Sequence, residues 1–141
     1  ILQPDSEIDK KYFASKDIVE KRLEKLKVKP FYPSVWHENK GGNISALPYS
    51  CALRAGGSYN YLLVNGNRRF TEREMLRLQG FPENFIINVS YTAMRKLTGN
   101  SVAVPVIKAV AKQMLEAINS KKIAQTSKQL SLLETEYEYS R

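Results

Sequence analysis

Apolar side chains recur at helical spacing near both ends of the chain. One stripe predicts a short basic helix over residues 17–29, which ends before Pro30 because proline disfavours a helical residue before it. A second stripe predicts a longer amphipathic helix after residue 102, with Pro105 acceptable in its first turn. The first stripe consists of Ile18, Val19, Leu23 and Leu26, and the second of Ile107, Val110, Ala111, Met114, Leu115 and Ile118.

The centre of the chain has a different pattern. Residues 31–66 are rich in Tyr, Gly, Asn, Ser and Pro and carry little charge. Short extended pieces over residues 46–55 and 59–64 predict strands with exposed glycine loops, and Asn65-Gly66 predicts a tight turn. We therefore expect an α+β chain, in which a small, irregular, β-rich domain with short helices precedes a C-terminal helix.

Residues 69–80 carry the best-specified helix signal. Thr71 and Glu74 have the spacing of a capping box, in which a hydroxyl and a carboxylate satisfy opposite free amides. Phe70 and Met75 occupy the two positions of a hydrophobic staple around this cap, and Gly80 is predicted to end the helix.

Charge favours a polyanionic partner. The 141 residues have a net charge of +8, which suits phosphate contacts with counterion release. Residues 10–29 hold eight bases and three acids, whereas residues 1–9 hold three acids and no base. The single cysteine, Cys51, excludes an internal disulfide, and the lone His37 lacks a second metal ligand, so no metal is expected. No secretory signal or membrane span is recognisable, and the missing initial Met suggests a fragment or a processed chain.

Two segments resemble conserved motifs of the cytosine-5 DNA methyltransferase family. Residues 69–82, RFTEREMLRLQGFP, are similar to the ninth motif, in which an arginine precedes a Thr-x-Arg-Glu cap and a helix ending in Gly-Phe-Pro. Residues 99–106, GNSVAVPV, are similar to the tenth motif, in which Gly-Asn-Ser-Val precedes a short apolar run. Both segments stand in the family's order and at a family-like separation.

Weaker matches lie upstream. Residues 52–57, ALRAGG, resemble the core of the family's target-recognition domain, with Ala52 in place of the usual threonine. Residues 40–43, KGGN, resemble the first recognition loop of some members, and residues 9–15 resemble the segment that leads into this domain. The resemblance covers about residues 8–117. It departs from the family pattern at Ala93, Arg95 and Leu97, where many members carry Gln, Tyr and Gln.

The catalytic motifs of that family are absent from the sequence. These are the Pro-Cys nucleophile, the Glu-Asn-Val acid, the Phe-x-Gly-x-Gly cofactor turn and Gln-x-Arg-x-Arg. Cys51 lies within the recognition match, so we expect it to be a packing residue and expect no catalytic residue. The resemblance implies four segments: a lead-in with a basic helix (1–29), a target-recognition domain including motif nine (30–98), a motif-ten helix that packs on an absent Rossmann-like catalytic domain (99–120), and a weakly ordered tail (121–141).

The resemblance also implies that the glycine loops contact double-stranded DNA. Glycine allows close backbone approach, and an Arg or Asn on such a loop can form bidentate bonds with base edges. Ordinary turn chemistry is the alternative for these residues. The expected DNA-contacting residues are Lys40, Gly42, Asn43, Leu53, Arg54, Gly56, Gly57 and Arg68.

Two further groups have expected roles. Internal organisation of the recognition domain is expected of Arg69, Thr71, Arg73, Glu74, Gly80 and Pro82. Asn100, Ser101 and Val102 either cap the following helix or contact S-adenosylmethionine, whose carboxylate suits a helix N-terminus. The resemblance implies the cofactor contact, shared with the catalytic part.

The implied reaction is methyl transfer from S-adenosylmethionine to C5 of a flipped cytosine at a specific site, after a cysteine adds at C6. We expect a bacterial restriction-modification enzyme in the cytoplasm or at the nucleoid, and no membrane partner. This chain alone is expected to be inactive and to need a catalytic chain or domain carrying the Pro-Cys and Glu-Asn-Val motifs. A stand-alone, sequence-specific DNA-binding module and a non-functional remnant are the alternatives.

Overall fold

The computed structural model describes residues 1–57 and 61–119, which form helices and one small sheet. Two short 3-10 helices, Asp5–Glu7 and Lys10–Tyr12, precede helix α1, Lys16–Lys25. The strands are β1 (Val35–Glu38), β2 (Ile44–Leu47) and β3 (Leu62–Val64), and the later helices are α2 (Glu72–Leu78), α3 (Tyr91–Asn100) and α4 (Val104–Asn119). This mixture confirms the α+β class.

The sheet is antiparallel, with β1 between β2 and β3. Side chains alternate between its faces, so that Leu62 and Val64 join one core cluster and Leu63 joins another. The sheet is therefore buried on both sides. The larger core cluster contains Val35, Tyr61, Leu62, Val64, Phe70, Met75, Leu76 and Met94, and the smaller one contains Trp36, Ile44 and Leu63.

The predicted turn at Asn65-Gly66 is confirmed. Both residues have positive φ, 51° and 72°, as the tight hairpin turn after β3 requires. A Cβ on Gly66 would also lie 2.6 Å from the ring of Trp36, so the close approach of the indole requires glycine as well.

The predicted cap of α2 is also confirmed. The Thr71 hydroxyl accepts a hydrogen bond from the Glu74 amide, and the Glu74 carboxylate accepts one from the Thr71 amide. At the other end, Gly80 has φ 75° and the Phe81 amide donates to the Leu76 carbonyl, which closes the helix with a left-handed residue.

Several elements differ from the prediction. Helix α1 ends at Lys25 rather than at residue 29, because Leu26 leaves the helix and forms a bridge with Ile44. In place of the strand predicted over 46–55 the structure has β2, which begins earlier and ends at Leu47. Of the strand predicted over 59–64, the described residues form β3, and residues 58–60 lie outside the described part. Strand β1 and helix α3 were not predicted.

Residues 1–103 form one compact unit, and a second unit begins at residue 104. Helix α4 opens the second unit, with Pro105 in its first turn as expected. The predicted tail over 121–141 lies outside the described residues. In the part of the chain that the structure describes, no helix has the length and apolarity needed to cross a bilayer.

Candidate nucleic-acid interface

The two glycine loops predicted to contact DNA lie side by side in the folded chain. A groove of about 580 Å³ opens between the turn that joins β1 to β2 and the loop over residues 53–57. We call it the loop groove; its lining residues are Glu38, Asn39, Lys40, Arg54, Gly56, Gly57 and Tyr61. Its width is set by the fold, because β1 carries the first loop and Tyr61, one residue before β3, supports the second.

The first loop is a closed turn. The Asn39 side chain accepts a hydrogen bond from the Asn43 amide at 3.0 Å, and the Asn39 carbonyl accepts one from the Gly42 amide. Gly42 has φ 74°, a conformation that favours glycine. Lys40 and Asn43 are exposed on this hydrogen-bonded turn, so their side chains are accessible from solvent.

The second loop holds Arg54 against an aromatic ring. The guanidinium carbon of Arg54 lies 4.7 Å from the centre of the Tyr61 ring, a cation–π distance. The Arg54 amide donates to the Tyr61 hydroxyl at 2.6 Å, and the Gly57 amide donates to the Arg54 carbonyl at 3.1 Å. Arg54 is itself exposed. The loop thus presents a cationic, multiply donating side chain on a supported backbone.

Burial raises the pKa of the Tyr61 hydroxyl, although the hydrogen bond from the Arg54 amide and the charges of Arg54 and Arg95 oppose the shift. The phenol is therefore neutral at physiological pH and accepts the hydrogen bond of the loop. Its ring also explains Gly57, because a Cβ there would lie 2.7 Å from the Tyr61 ring. Gly56 has open space around it.

A further cation and a compensated carboxylate lie near the loop groove. The Lys25 ammonium lies 3.5 Å from the position that a Cβ would take on Gly42. The acidic residue of the groove, Glu38, lies 3.7 Å from the buried guanidinium of Arg22, which compensates its charge. A polyanion entering the groove would meet Lys40 and Arg54 without an uncompensated carboxylate beside them.

Leu53 and Arg68 lie in different surroundings from the other predicted contacts. Leu53 is half-buried and packs against the larger core cluster, where it anchors the second loop. The interpretation of Arg68 as a DNA contact is wrong: its side chain is 1% exposed, and it forms hydrogen bonds of 2.9 Å with Glu74 and 2.7 Å with Asp5. A buried guanidinium with these partners cannot reach a base.

The residues predicted to organise the domain make internal contacts. Arg69 donates to the Lys11 carbonyl at 2.7 Å and stacks on Tyr91. Arg73 donates to the Phe85 carbonyl at 2.9 Å and so ties α2 to the turn that begins at Pro82.

Arg95 of α3 is a functional candidate that the sequence did not reveal. In the sequence, Arg95 stood out only as a departure from the family pattern. Its guanidinium donates to the Gly57 carbonyl at 2.5 Å, so it supports the second loop from below. The one available signal was its basic character close to the Gly-Asn-Ser-Val segment.

Asn100, Ser101 and Val102 form the link between α3 and α4, and the expectation that they cap the following helix is wrong. Asn100 is the last residue of α3, and the Ser101 amide and hydroxyl bond back to that helix, at Leu97 and Thr98. The next helix begins only at Val104. Asn100 and Val102 are exposed.

Cys51 is half-buried against the larger core cluster. His37 lies in β1 and is also half-buried. Among the described residues no group of three His, Cys, Asp or Glu side chains could hold a metal ion. Neither residue belongs to the loop groove.

Comparison with known proteins gives a consistent result. The family model described as C-5 cytosine-specific DNA methylase matches residues 4–116. The chain is 62% identical over 112 residues to the Type II methyltransferase M.NgoBI of Neisseria gonorrhoeae, which covers 79% of this chain and 35% of the relative. It is 55% identical over 136 residues to the Type II methyltransferase M.HaeII of Haemophilus aegyptius, which covers 95% of this chain and 42% of the relative.

The chain thus spans between 35% and 42% of the length of these two relatives. A shorter match, 60% identical over 55 residues, relates it to the Type II methyltransferase M1.ScrFI of Lactococcus lactis subsp. cremoris. No solved structure matches the chain with significance.

Proposed function

The chain belongs to the C-5 cytosine-specific DNA methylase family, and on this premise we propose that it is the DNA-recognising part of a cytosine-5 DNA methyltransferase of a bacterial restriction-modification system. It acts on double-stranded DNA together with a catalytic chain or domain that carries the Pro-Cys and Glu-Asn-Val motifs.

The observation that carries the proposal is the loop groove. Sequence-specific DNA readers need donors and acceptors at base edges and cations at phosphates. The groove brings Arg54, fixed on the ring of Tyr61, next to Lys40 on the neighbouring turn. Arg54 can donate two parallel hydrogen bonds to a guanine, and Lys40 can contact a phosphate as a point charge. Asn43 adds an amide that can donate and accept.

The proposed division of roles follows from these positions. The loops bind and orient the duplex, while Leu53 and Tyr61 hold the second loop on the core. S-adenosylmethionine, when bound, supplies the methyl group for C5 of the flipped cytosine. Asn100 and Val102 border that cofactor with their exposed side chains, and half-buried Ser101 lies between them with its hydroxyl bonded to Thr98. The catalytic part contributes the rest of the site.

The C-terminal helix supports a partner in this role. Five large apolar side chains of α4 are at least half exposed. An apolar stripe of this length is costly in water and favours burial against another surface. The residues are Val106, Ile107, Met114, Leu115 and Ile118.

A reconstitution experiment tests the proposal. The chain is mixed with the part of M.HaeII that lies outside the matched segment, and transfer of tritiated methyl groups to duplex DNA is measured. We expect no transfer by either piece alone and transfer by the mixture. The control is the same partner with the cysteine of its Pro-Cys motif replaced by serine.

Two results would count against the proposal. Transfer by this chain alone would remove the division of roles. Binding of the assembled pieces to all duplexes with equal affinity would remove the recognition role, since specific sites are typically bound about a thousandfold or more tighter than random DNA.

A further inference from the structure

Helix α3 lies in direct backbone contact with the second DNA-reading loop. A Cβ built on Gly99 would lie 2.2 Å from the amide nitrogen of Ala55, 2.5 Å from the carbonyl carbon of Arg54 and 2.7 Å from the Ala55 Cα. All three are backbone atoms, so no side-chain rotation could make room. The absence of a side chain at position 99 is what allows the helix and the loop to touch.

The backbone of Gly99 gives no other reason for glycine. The described glycines with positive φ are Gly42, Gly66 and Gly80, whereas Gly99 lies within the α-helix. Glycine inside a helix costs about 0.5–1 kcal/mol relative to alanine. Local stability therefore favours alanine at this position, and only the contact with the loop favours glycine.

The same helix makes a second contact with this loop. Arg95 lies four residues before Gly99, on the same helical face, and donates to the Gly57 carbonyl at 2.5 Å. The two residues thus support opposite ends of the segment 54–57. Buried Met94 and Thr98 fix the helix below, and the Gln79 side chain donates to the Thr98 carbonyl at 2.8 Å.

We propose that Gly99 is a positioning residue for DNA recognition: it sets where the backbone of the second loop lies and hence where Arg54 meets a base. Sequence resemblance put this glycine beside residues that border the cofactor, but its contacts are with the reading loop. The inference rests on the proposed function. A Cβ at position 99 would lie 2.2 Å from the Ala55 nitrogen, whereas real Cβ atoms keep at least 3.0 Å from such a neighbour. The loop must therefore shift by about 0.8 Å, which is more than the ~0.5 Å that a binding site tolerates.

The first test needs no DNA. Amide hydrogen exchange and amide chemical shifts of Gly99→Ala are compared with those of Leu97→Ala, a change at an exposed position of the same helix. We expect changes at Arg54 and Gly57, whose amides bond to Tyr61 and to Arg54, in Gly99→Ala alone. Unchanged loop amides in Gly99→Ala would overturn the inference, whatever the chain binds.

The second test measures selectivity. The preferred duplex is first selected with the reconstituted wild-type enzyme. The selectivity ratio is the affinity of an enzyme for this duplex divided by its affinity for duplexes with one changed base pair. We expect Gly99→Ala to lower this ratio about tenfold, within the range that one mismatched base pair costs, while binding of random duplex stays within about twofold. Leu97→Ala should keep the wild-type ratio.

Arg95→Gln is the second variant, because it removes the bond to Gly57 without adding bulk. One lost charge weakens binding to every duplex alike, so the ratio isolates the effect on recognition. A wild-type ratio retained by both variants would overturn the inference and leave the proposed function standing. If the wild-type enzyme itself does not discriminate, the proposed function fails first and the recognition role of Gly99 falls with it.

Discussion

Arg54 and Arg68 carry the same side chain in opposite physical settings. Arg54 is exposed and stacked on Tyr61, so its donors face solvent and any incoming duplex. Arg68 is buried between Glu74 and Asp5, so its donors are used inside the domain. Residue type and a neighbouring glycine therefore did not suffice to identify a DNA contact. The partners of Arg68 decide its role, and Asp5 lies 63 positions away in the chain.

Arg54 and Lys40 predict two different signatures in DNA binding. Arg54→Ala should lower affinity for the preferred site by about 1–3 kcal/mol and relax discrimination at one base pair, because it removes a bidentate donor. Lys40→Ala should weaken binding to all duplexes about equally and reduce the slope of log affinity against log salt by about one. Titrations of the reconstituted enzyme on single-substitution duplexes at several salt concentrations measure both. Equal losses at every base pair in Arg54→Ala would contradict a base-reading role.

Two buried tyrosines predict a loss of stability at high pH. Burial is the largest cause raising the pKa of Tyr12 and of Tyr61, and a hydrogen bond to Glu72 raises that of Tyr12 further. Both hydroxyls stay protonated when folded, whereas unfolded tyrosines ionise near pH 10. The contribution of these tyrosines to the free energy of unfolding is therefore fully present below about pH 10. It is lost as the pH rises above that value, by at most about 1.4 kcal/mol per pH unit for each tyrosine.

Urea unfolding between pH 8 and pH 11 measures this effect. Tyr12→Phe and Tyr61→Phe should each lower stability at pH 8 and flatten its fall above pH 10, since phenylalanine has no proton to lose. Tyr49→Phe, at an exposed position, is the matched control. If stability falls as steeply with pH in Tyr12→Phe and Tyr61→Phe as in wild type, the loss at high pH comes from other groups.

At the scale of elements, the N-terminal segment is fixed to α2 by one buried carboxylate. Glu74 is 0% exposed and accepts from the Gln3 amide at 2.8 Å, from the Thr71 amide at 2.9 Å and from Arg68 at 2.9 Å. The capping box was predictable because its donors lie within four residues. The bond to Gln3 was not, because it joins residues 71 positions apart.

Glu74→Gln tests this network. An amide keeps the shape but leaves the buried Arg68 with only the half-exposed Asp5 as a charged partner, so we expect a loss of about 3–5 kcal/mol of unfolding free energy. Chemical denaturation measures the loss, and Glu83→Gln, which removes an exposed ion pair with Arg77, should cost little. A loss in Glu74→Gln no larger than in Glu83→Gln would show that the buried pair contributes little.

Helix α3 and strand β1 show where sequence patterns fail at this scale. α3 buries only Met94 and Thr98, a stripe too narrow to give a clear helical period. β1 has four residues, of which two are buried. It forms a hairpin with β2, but on its other side it pairs with β3, which is distant in sequence. Tertiary contact determines both elements. Strand β1 leads into the first loop of the groove, and α3 carries Arg95, which supports the second loop. The sequence therefore predicted the two loops but not the elements that support them.

At the scale of the whole molecule, the apolar stripe of α4 predicts an obligate partner surface. Val110 lies on that stripe and is half-exposed, whereas Ala109 is exposed on the polar face of the same helix, between Lys108 and Lys112. If the stripe packs on the catalytic part, a carboxylate at position 110 is buried without a partner when the two assemble. Such burial costs about 2 kcal/mol, which corresponds to a loss of affinity of about thirtyfold.

Val110→Glu and Ala109→Glu form a matched pair for this test, since each adds one negative charge to α4. Analytical ultracentrifugation of the chain with the catalytic part measures assembly, and methyl transfer measures function. Assembly and transfer should both fall in Val110→Glu and persist in Ala109→Glu, while circular dichroism of the isolated variants stays unchanged. Equal assembly by the two variants would mean that the catalytic part binds elsewhere. Loss of self-association in Val110→Glu, with no binding of a catalytic part by wild type, would favour a non-functional remnant.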